Sequence, residues 1–546
     1  MFGLPGQGMH LHVDALSALF LCILAPQILA AVLAGMRASS SFWAFILGMV
    51  LALAAADAFT LIFGFELMSA ASWLLVLRGD AKPATLYAGI AMFSAACLIP
   101  AVFLPASGLA FMLILLGAGA KAGLAPLHSW LPRAHPAPPA GVSALMSGGM
   151  VKVALYVIIR YAFIEFSTGT QPWWGTILII AGAGSVLIGA FRSLFETEMK
   201  IMLACSTVEH VGLIAVGLGI ALRAKAMGNL DLAALSLQAA LLCAVAHGLF
   251  KPLLFLGAGA VGQATGTTSL DWLGGLMRGM PKLGLLMLAG AAGMAALPLG
   301  PGFAPEFLLL HAVIAASATG GILARIGFIA LLAGLGLSAA LALGAAVRLI
   351  GIGFLGRPRS LHAAAAEDAP RNTLAGMGLL AALCVPVALL PGLILDALVP
   401  VIQLLAPNAD PMPLTYAPLS IAFLFILAGA AAFLALRRFG VRGTREAAAW
   451  NGGFGPPPAW LPFGDPKTQL SATGFAEPVR RAMGQGVLVP SGADLADAYL
   501  LTPLSRLNTR LTRLAERIRR ATIRQRLAFV FGALVMFLLA LGLGQG

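Results

Sequence analysis

Charge is what this chain has least of. Of its 546 residues 60% are hydrophobic and 10% charged, and the mean hydropathy is +0.95. A soluble chain carries about 25% charged residues, so a water-soluble globular fold is excluded. Cysteine is scarce as well. The five cysteines, at 22, 97, 205, 243 and 384, lie far apart in apolar segments, with no CxxC spacing. That gives no basis for an iron–sulfur cluster or a zinc site; each reads as a small apolar filler. Neither a bound cofactor nor a metal is expected, and no hydrolase or kinase motif is present. The net charge of +13 sits in loops and one C-terminal segment, which argues topology and not nucleic acid. The first apolar run, about 12–35, lacks a basic leader and is long enough to span, so no cleavable signal is expected.

What fills the chain is long apolar runs, the mark of a polytopic all-α membrane protein. Fourteen spans are expected, near 11–35, 41–58, 59–79, 84–104, 107–132, 138–163, 173–195, 198–222, 232–262, 283–317, 321–354, 372–398, 412–438 and 522–544. Several exceed the roughly 20 residues a span needs, which predicts tilted or broken helices. The connecting loops form two sets. One carries Arg37, Arg78, Lys82, Arg133, Arg192, Lys200, Arg278, Lys282, Arg357, Arg359, Arg371 and the segment 439–521; the other has Arg223 and Lys225 as its main cations. The positive-inside rule puts the first set in the cytoplasm and both termini outside. Segment 439–521 opens rich in Gly, Pro and charge and reads as loop. A helix is expected from about Ser491, with Leu504, Leu507, Leu511, Leu514 and Ile518 striped between arginines. Such a helix lies on the membrane face, docks on a neighbouring subunit, or is simply solvated.

An ionisable residue at the bilayer centre costs roughly 2.5–3.5 kcal/mol, so several in one bundle need a reason. Glu66 falls mid-span in "LIFGFELMSAASWLLVL". Lys121 precedes "AGLAPLHSW", where Pro126 removes a backbone hydrogen bond, and Lys152 lies in the next span. His247 and Lys251 are four apart and share one helix face. Glu306 follows a second Pro/Gly break, "LPLGPGFAP". Breaks are tolerated in lipid only beside protein or a cavity, and paired breaks point to transport sites. Asp57 reads as a membrane-surface residue. Glu209 and His210 fit either the series or an interhelical hydrogen-bonding pair, and His128 is a further accessory candidate. A neighbouring carboxylate alters how tightly a buried lysine holds its proton, so moving that counter-charge switches the lysine between loaded and empty. The series therefore predicts a proton relay from Glu66 and Lys121 through Lys152, His247 and Lys251 to Glu306.

The strings "KAGLAPLHSWLPRAHPAPPAGVSALMSGGMVKVALYVIIR", "ETEMKIMLACSTVEHVGLIAVGLG", "HGLFKPLLFLGAGAV" and "LPLGPGFAPEFLL" resemble the antiporter-like subunits of respiratory complex I. Membrane-bound hydrogenases and Mrp-type cation/proton antiporters share that fold. The tail "WNGGF…QLSATGFAEPVRR" resembles hydrogenase-4 component B and the formate hydrogenlyase membrane subunit. The resemblance implies two inverted five-helix repeats with two discontinuous helices. These would be 41–163 and 173–354, preceded by a peripheral helix in 1–40. Two more helices would follow in 372–438, then the cytoplasmic segment 439–521 and an anchor in 522–546. It implies a Glu66–Lys121 pair, a connecting Lys152, a central His247 and Lys251, and a terminal Glu306. It also implies a bacterial inner-membrane subunit without a redox centre of its own, partnered by membrane subunits and, through the complex, by soluble redox subunits. A sodium/proton antiporter, an ion-coupled carbon-uptake subunit and a structural anchor are the alternatives.

Overall fold

The computed structural model describes all residues except 1–2, 5–6, 36–38, 412–416, 441–469 and 483–546. The expected last span at 522–544, the leucine stripe beyond Ser491 and Arg37 therefore lie outside the described residues. Apart from a two-residue antiparallel pairing of Gly3–Leu4 with Gln7–Gly8, the described chain is helical. Among the described residues, ten helices are long and apolar enough to cross a membrane: α1 Ala15–Leu33, α3 Ala58–Leu77, α4 Ala81–Ala101, α7 Ala140–Glu165, α8 Pro172–Phe195, α9 Met199–Ala226, α10 Leu230–Thr265, α13 Ile322–Gly353, α14 Arg371–Leu389 and α16 Pro418–Phe439. Between them lie the shorter apolar helices α2 Ser40–Leu53, α5 Gly108–Ala122, α11 Pro281–Met294, α12 Phe303–Ser317 and α15 Pro391–Leu405. The small α6 Trp130–Ala134 follows α5, and α17 Ala472–Ala482 closes the described part.

Short polar residues start these helices. Asp14, Ser39, Asp57, Ser107 and Asn229 each accept a backbone N–H of the first turn, satisfying a donor that lipid cannot. Asp57 is thus a helix cap. Proline in the first turn opens α8, α11, α15 and α16, where its missing N–H costs nothing.

Both expected breaks are present, and one boundary differs from the expected spans. The run 107–132 is α5, a turn, then α6: Gly123 sits at φ +79°, the left-handed conformation glycine adopts freely, and stops α5 two residues after Lys121. The run 283–317 divides into α11 and α12 across "ALPLGPG", with Ala296 and Leu299 at positive φ. The run 372–398 is two helices and not one, because Pro391 disfavours a helical Leu390, which sits at φ −128° and ψ 44°. A second difference lies in the tail. Residues 472–482 read as loop but form α17, which Ser471 caps by accepting the N–H of Gly474 at 2.8 Å.

Helices α7, α9 and α10 are the interior; α13 is one-third buried over its membrane window and α16 bare. Without water to drive association, small residues let membrane helices approach. Gly175, Gly182 and Gly189 on α8 face Gly219, Gly212 and Cys205 on α9. A Cβ on Gly182 would lie 2.8 Å from the carbonyl of Gly212, and one on Gly212 2.6 Å from that of Gly182.

Polar contacts sort the loops into two ends. At one, Lys200 donates to the carbonyls of Pro136 and Pro138, Asp368 accepts the N–H of Leu283, and Arg359 donates to Leu470 O at 2.6 Å. At the other, Lys225 donates to Phe163 O and Leu405 O at 2.9 and 2.7 Å. The first three contacts join loops of the basic set to one another, and the last joins loops of the bare set.

Candidate functional site

Lys121 occupies the last turn of α5 and is fully buried. Its ammonium lies 4.3 Å from the centre of the Tyr87 ring, a cation–π contact that partly replaces lost hydration. Glu66, on α3, is within electrostatic reach of it. Neither Lys121 Nζ nor Glu66 Oε1 has a hydrogen-bond partner. Tyr87 is itself fixed: its hydroxyl bonds Ser72 Oγ at 2.6 Å and Met150 Sδ at 3.2 Å, and its ring meets that of Trp130 at 4.8 Å. The Trp130 indole donates to Ala120 O at 2.8 Å, and Ser185 Oγ accepts the N–H of Ala125 at 2.8 Å. These two contacts satisfy backbone groups that the break exposes. His128 is buried in the turn that follows.

The second group is built on α7, α9 and α10. Lys152, Glu209, His210, His247 and Lys251 are all at most 2% exposed. Lys152 Nζ contacts His247 Nδ1 directly and also donates to Ser147 O at 3.2 Å. The His247 and His210 rings lie 5.3 Å apart. His210 Nδ1 donates to Ser206 O at 2.8 Å, which leaves Nε2 of a neutral ring as an acceptor. Lys251 Nζ donates to Leu203 O at 3.3 Å. That carbonyl also accepts from Thr207 Oγ1, which bonds Ser147 Oγ at 2.8 Å. Lys251 is within electrostatic reach of Glu209, and Glu209 of Glu306. Glu306 sits half-buried in the first turn of α12, directly after the second break.

The expected residues thus fall into two groups, Glu66 with Lys121, and Lys152 through His247 and Lys251 to Glu306. Glu209 and His210 belong to the second. Sequence reasoning missed the polar side chains between them, Tyr87, Ser147 and Thr207. Tyr87 had one available signal, as one of only five tyrosines, placed inside an apolar span. Among the described residues, no group of three or more His, Cys, Asp or Glu could hold a metal ion. The arrangement can carry charge as protons between neighbouring nitrogens, hydroxyls and carboxylates.

The chain is similar to known membrane proteins. The family model described as NADH:quinone oxidoreductase/Mrp antiporter, TM, matches residues 98–332, which contain Lys121, Lys152, His247, Lys251 and Glu306. An uncharacterised protein of Mycobacterium tuberculosis is 35% identical over 476 residues, covering 81% of this chain and 73% of its own length. Hydrogenase-4 component B of Escherichia coli is 36% identical over 371 residues, 63% of this chain but only 55% of that protein. A chain of the archaeal membrane-bound sulfane sulfur reductase superposes with a TM-score of 0.79 at 21% identity, over 99% of this chain and 90% of the other; that likeness speaks to fold alone. The chain belongs to the antiporter-like membrane-subunit family shared by NADH:quinone oxidoreductases, Mrp antiporters and hydrogenase-4-type complexes.

Proposed function

We propose that this chain is a proton-translocating subunit of a redox-driven complex in a bacterial inner membrane, relaying protons through buried side chains. One observation carries the reading: Lys152, His247, His210, Lys251 and Glu209 pack side by side in the interior at no more than 2% exposure. An isolated buried ion pair is ordinary; a file of acids and bases is costly unless it works. Lys121 is the carrier at the first break and Glu66 sets its proton affinity. Lys152, His247 and Lys251 pass the proton on, and Glu306 receives it at the second break. The likeness to hydrogenase-4 component B supports partners that are other membrane subunits and, through them, soluble redox subunits. The basic loop end faces the cytoplasm.

The test is proton uptake by vesicles holding the purified complex, driven by its own electron donor and acceptor. Lys152→Met should abolish uptake with the complex intact. Unchanged uptake would leave the chain a structural anchor. A second reading, cation/proton antiport, is favoured by the Mrp side of the family description; uptake that requires sodium would select it.

A further inference from the structure

A cleft of about 450 Å³ opens at the bare-loop end of the bundle, lined by His12, Asp57, Arg160, Tyr161 and Glu165 among others. From its wall an unbroken hydrogen-bond chain runs inward. Arg160 Nη1 donates to Asp14 Oδ2 at 2.6 Å, and its Nη2 donates to Tyr156 Oη at 2.8 Å and Ser17 Oγ at 3.1 Å. Tyr156 Oη also bonds Ser17 Oγ at 3.0 Å and donates to Leu53 O at 3.1 Å. Tyr156 and Ser17 are fully buried, so the chain links the cleft to the interior. Lys152, Tyr156 and Arg160 are each four residues apart on α7, hence on one face. About 12 Å of helix at 1.5 Å per residue separates Lys152 from Arg160.

A structural role alone, tying α1 to α7, would not need a polar cleft, and Tyr156 follows Lys152 by one turn on the same face of α7. Because Asp14 and Arg160 neutralise each other, Asp57 and Glu165 leave the cleft favourable to cations. Burial works to raise the Asp14 carboxyl. The hydrogen bond from Arg160, that from the Ser17 N–H and the guanidinium charge outweigh it and hold Asp14 below the usual range, so the pair stays charged at neutral pH.

We propose that this cleft is the aqueous mouth of a branch that joins the relay at Lys152 to the bare-loop face, with Tyr156 as its relaying hydroxyl and Arg160–Asp14 as its gate. The inference rests on the relay reading above. In the outward step an N–H bond of the Lys152 ammonium breaks as an O–H bond forms on Tyr156, through a water if one intervenes. The O–H that tyrosine already carried passes to a cleft water, leaving a neutral lysine and a hydronium ion. Arginine does not give up its proton in proteins. Arg160 therefore gates the step by leaving Tyr156 and carries nothing itself.

The test uses the full chain in its native complex in vesicles of each orientation. Ala56→Cys places a thiol in the cleft wall at an exposed position, and Ala365→Cys places one at the exposed basic-loop end. A membrane-impermeant cationic thiol reagent is added from either side, with the unsubstituted chain as control. Ala56→Cys should be modified only from the bare-loop face and then lose most proton uptake, while Ala365→Cys is modified from the other face and pumps normally. Tyr156→Phe, which keeps the ring, should slow uptake roughly a hundredfold, the lower end of what a positioned proton donor contributes. Full modification of Ala56→Cys with unchanged uptake, or no modification from the aqueous phase, overturns the mouth and leaves the relay standing. Absence of uptake in the unmodified complex overturns both.

Discussion

Lys121 and Lys152 are both fully enclosed lysines in the membrane interior, yet their surroundings differ. Lys121 ends a helix and faces an aromatic ring and a distant acid, with no hydrogen bond to its ammonium. Lys152 sits mid-helix, against an imidazole and a carbonyl. The first setting makes a lysine responsive to the charge on Glu66, because little else holds it. The second suits the conducting role proposed for Lys152, because a base already touches it. Under the proposed relay both lysines carry protons, with Lys121 additionally answering to Glu66.

That contrast can be broken in graded ways. The largest effect is expected from Lys121→Met and Glu306→Gln, each of which removes an ionisable group at a helix break while nearly keeping its size. Both should abolish proton uptake in vesicles, with insertion unchanged by quantitative immunoblot. Glu66→Ala comes next, since it removes the charge that Lys121 senses. Glu66→Asp should be milder, because it shortens the reach without deleting the charge; initial uptake rates at matched protein level rank the two. Tyr87→Phe should have the smallest effect. It keeps the ring over Lys121 but loses the hydroxyl bonds to Ser72 and Met150, costing about 1 kcal/mol of stability. Uptake should stay measurable, with the loss read as a lower temperature of detergent-solubilised unfolding. A null for Tyr87→Phe beside a strong loss for Tyr156→Phe would sharpen the contrast, separating an aromatic support from a relaying hydroxyl.

Much of this could be read from residue types alone. Lipid penalises polar backbone and charge so heavily that spans, their loop polarity and the two breaks at Pro126 and Pro301 stand out in composition. Glu66, Lys121, Lys152, His247, Lys251 and Glu306 stood out for the same reason. What composition could not supply was contact across helices. Tyr87 reaches Lys121 from α4, and Thr207 reaches Ser147 from α9, pairings that depend on helix rotation. Hydroxyls also cost little in lipid, so they leave no anomaly to notice. The split at Leu390 escaped because two adjoining apolar helices read as one run. The spacing of Lys152, Tyr156 and Arg160, by contrast, was in plain view as a four-residue series.

The central claim is that Lys121 carries a proton and is not a fixed structural charge. Lys121→Arg tests it most directly, because arginine keeps the positive charge and does not release its proton in proteins. The measurement is proton uptake by vesicles of the purified complex under its native electron donor, at matched protein level. Loss of uptake with intact assembly and undiminished electron transfer is the predicted result. Full uptake by Lys121→Arg would contradict the account.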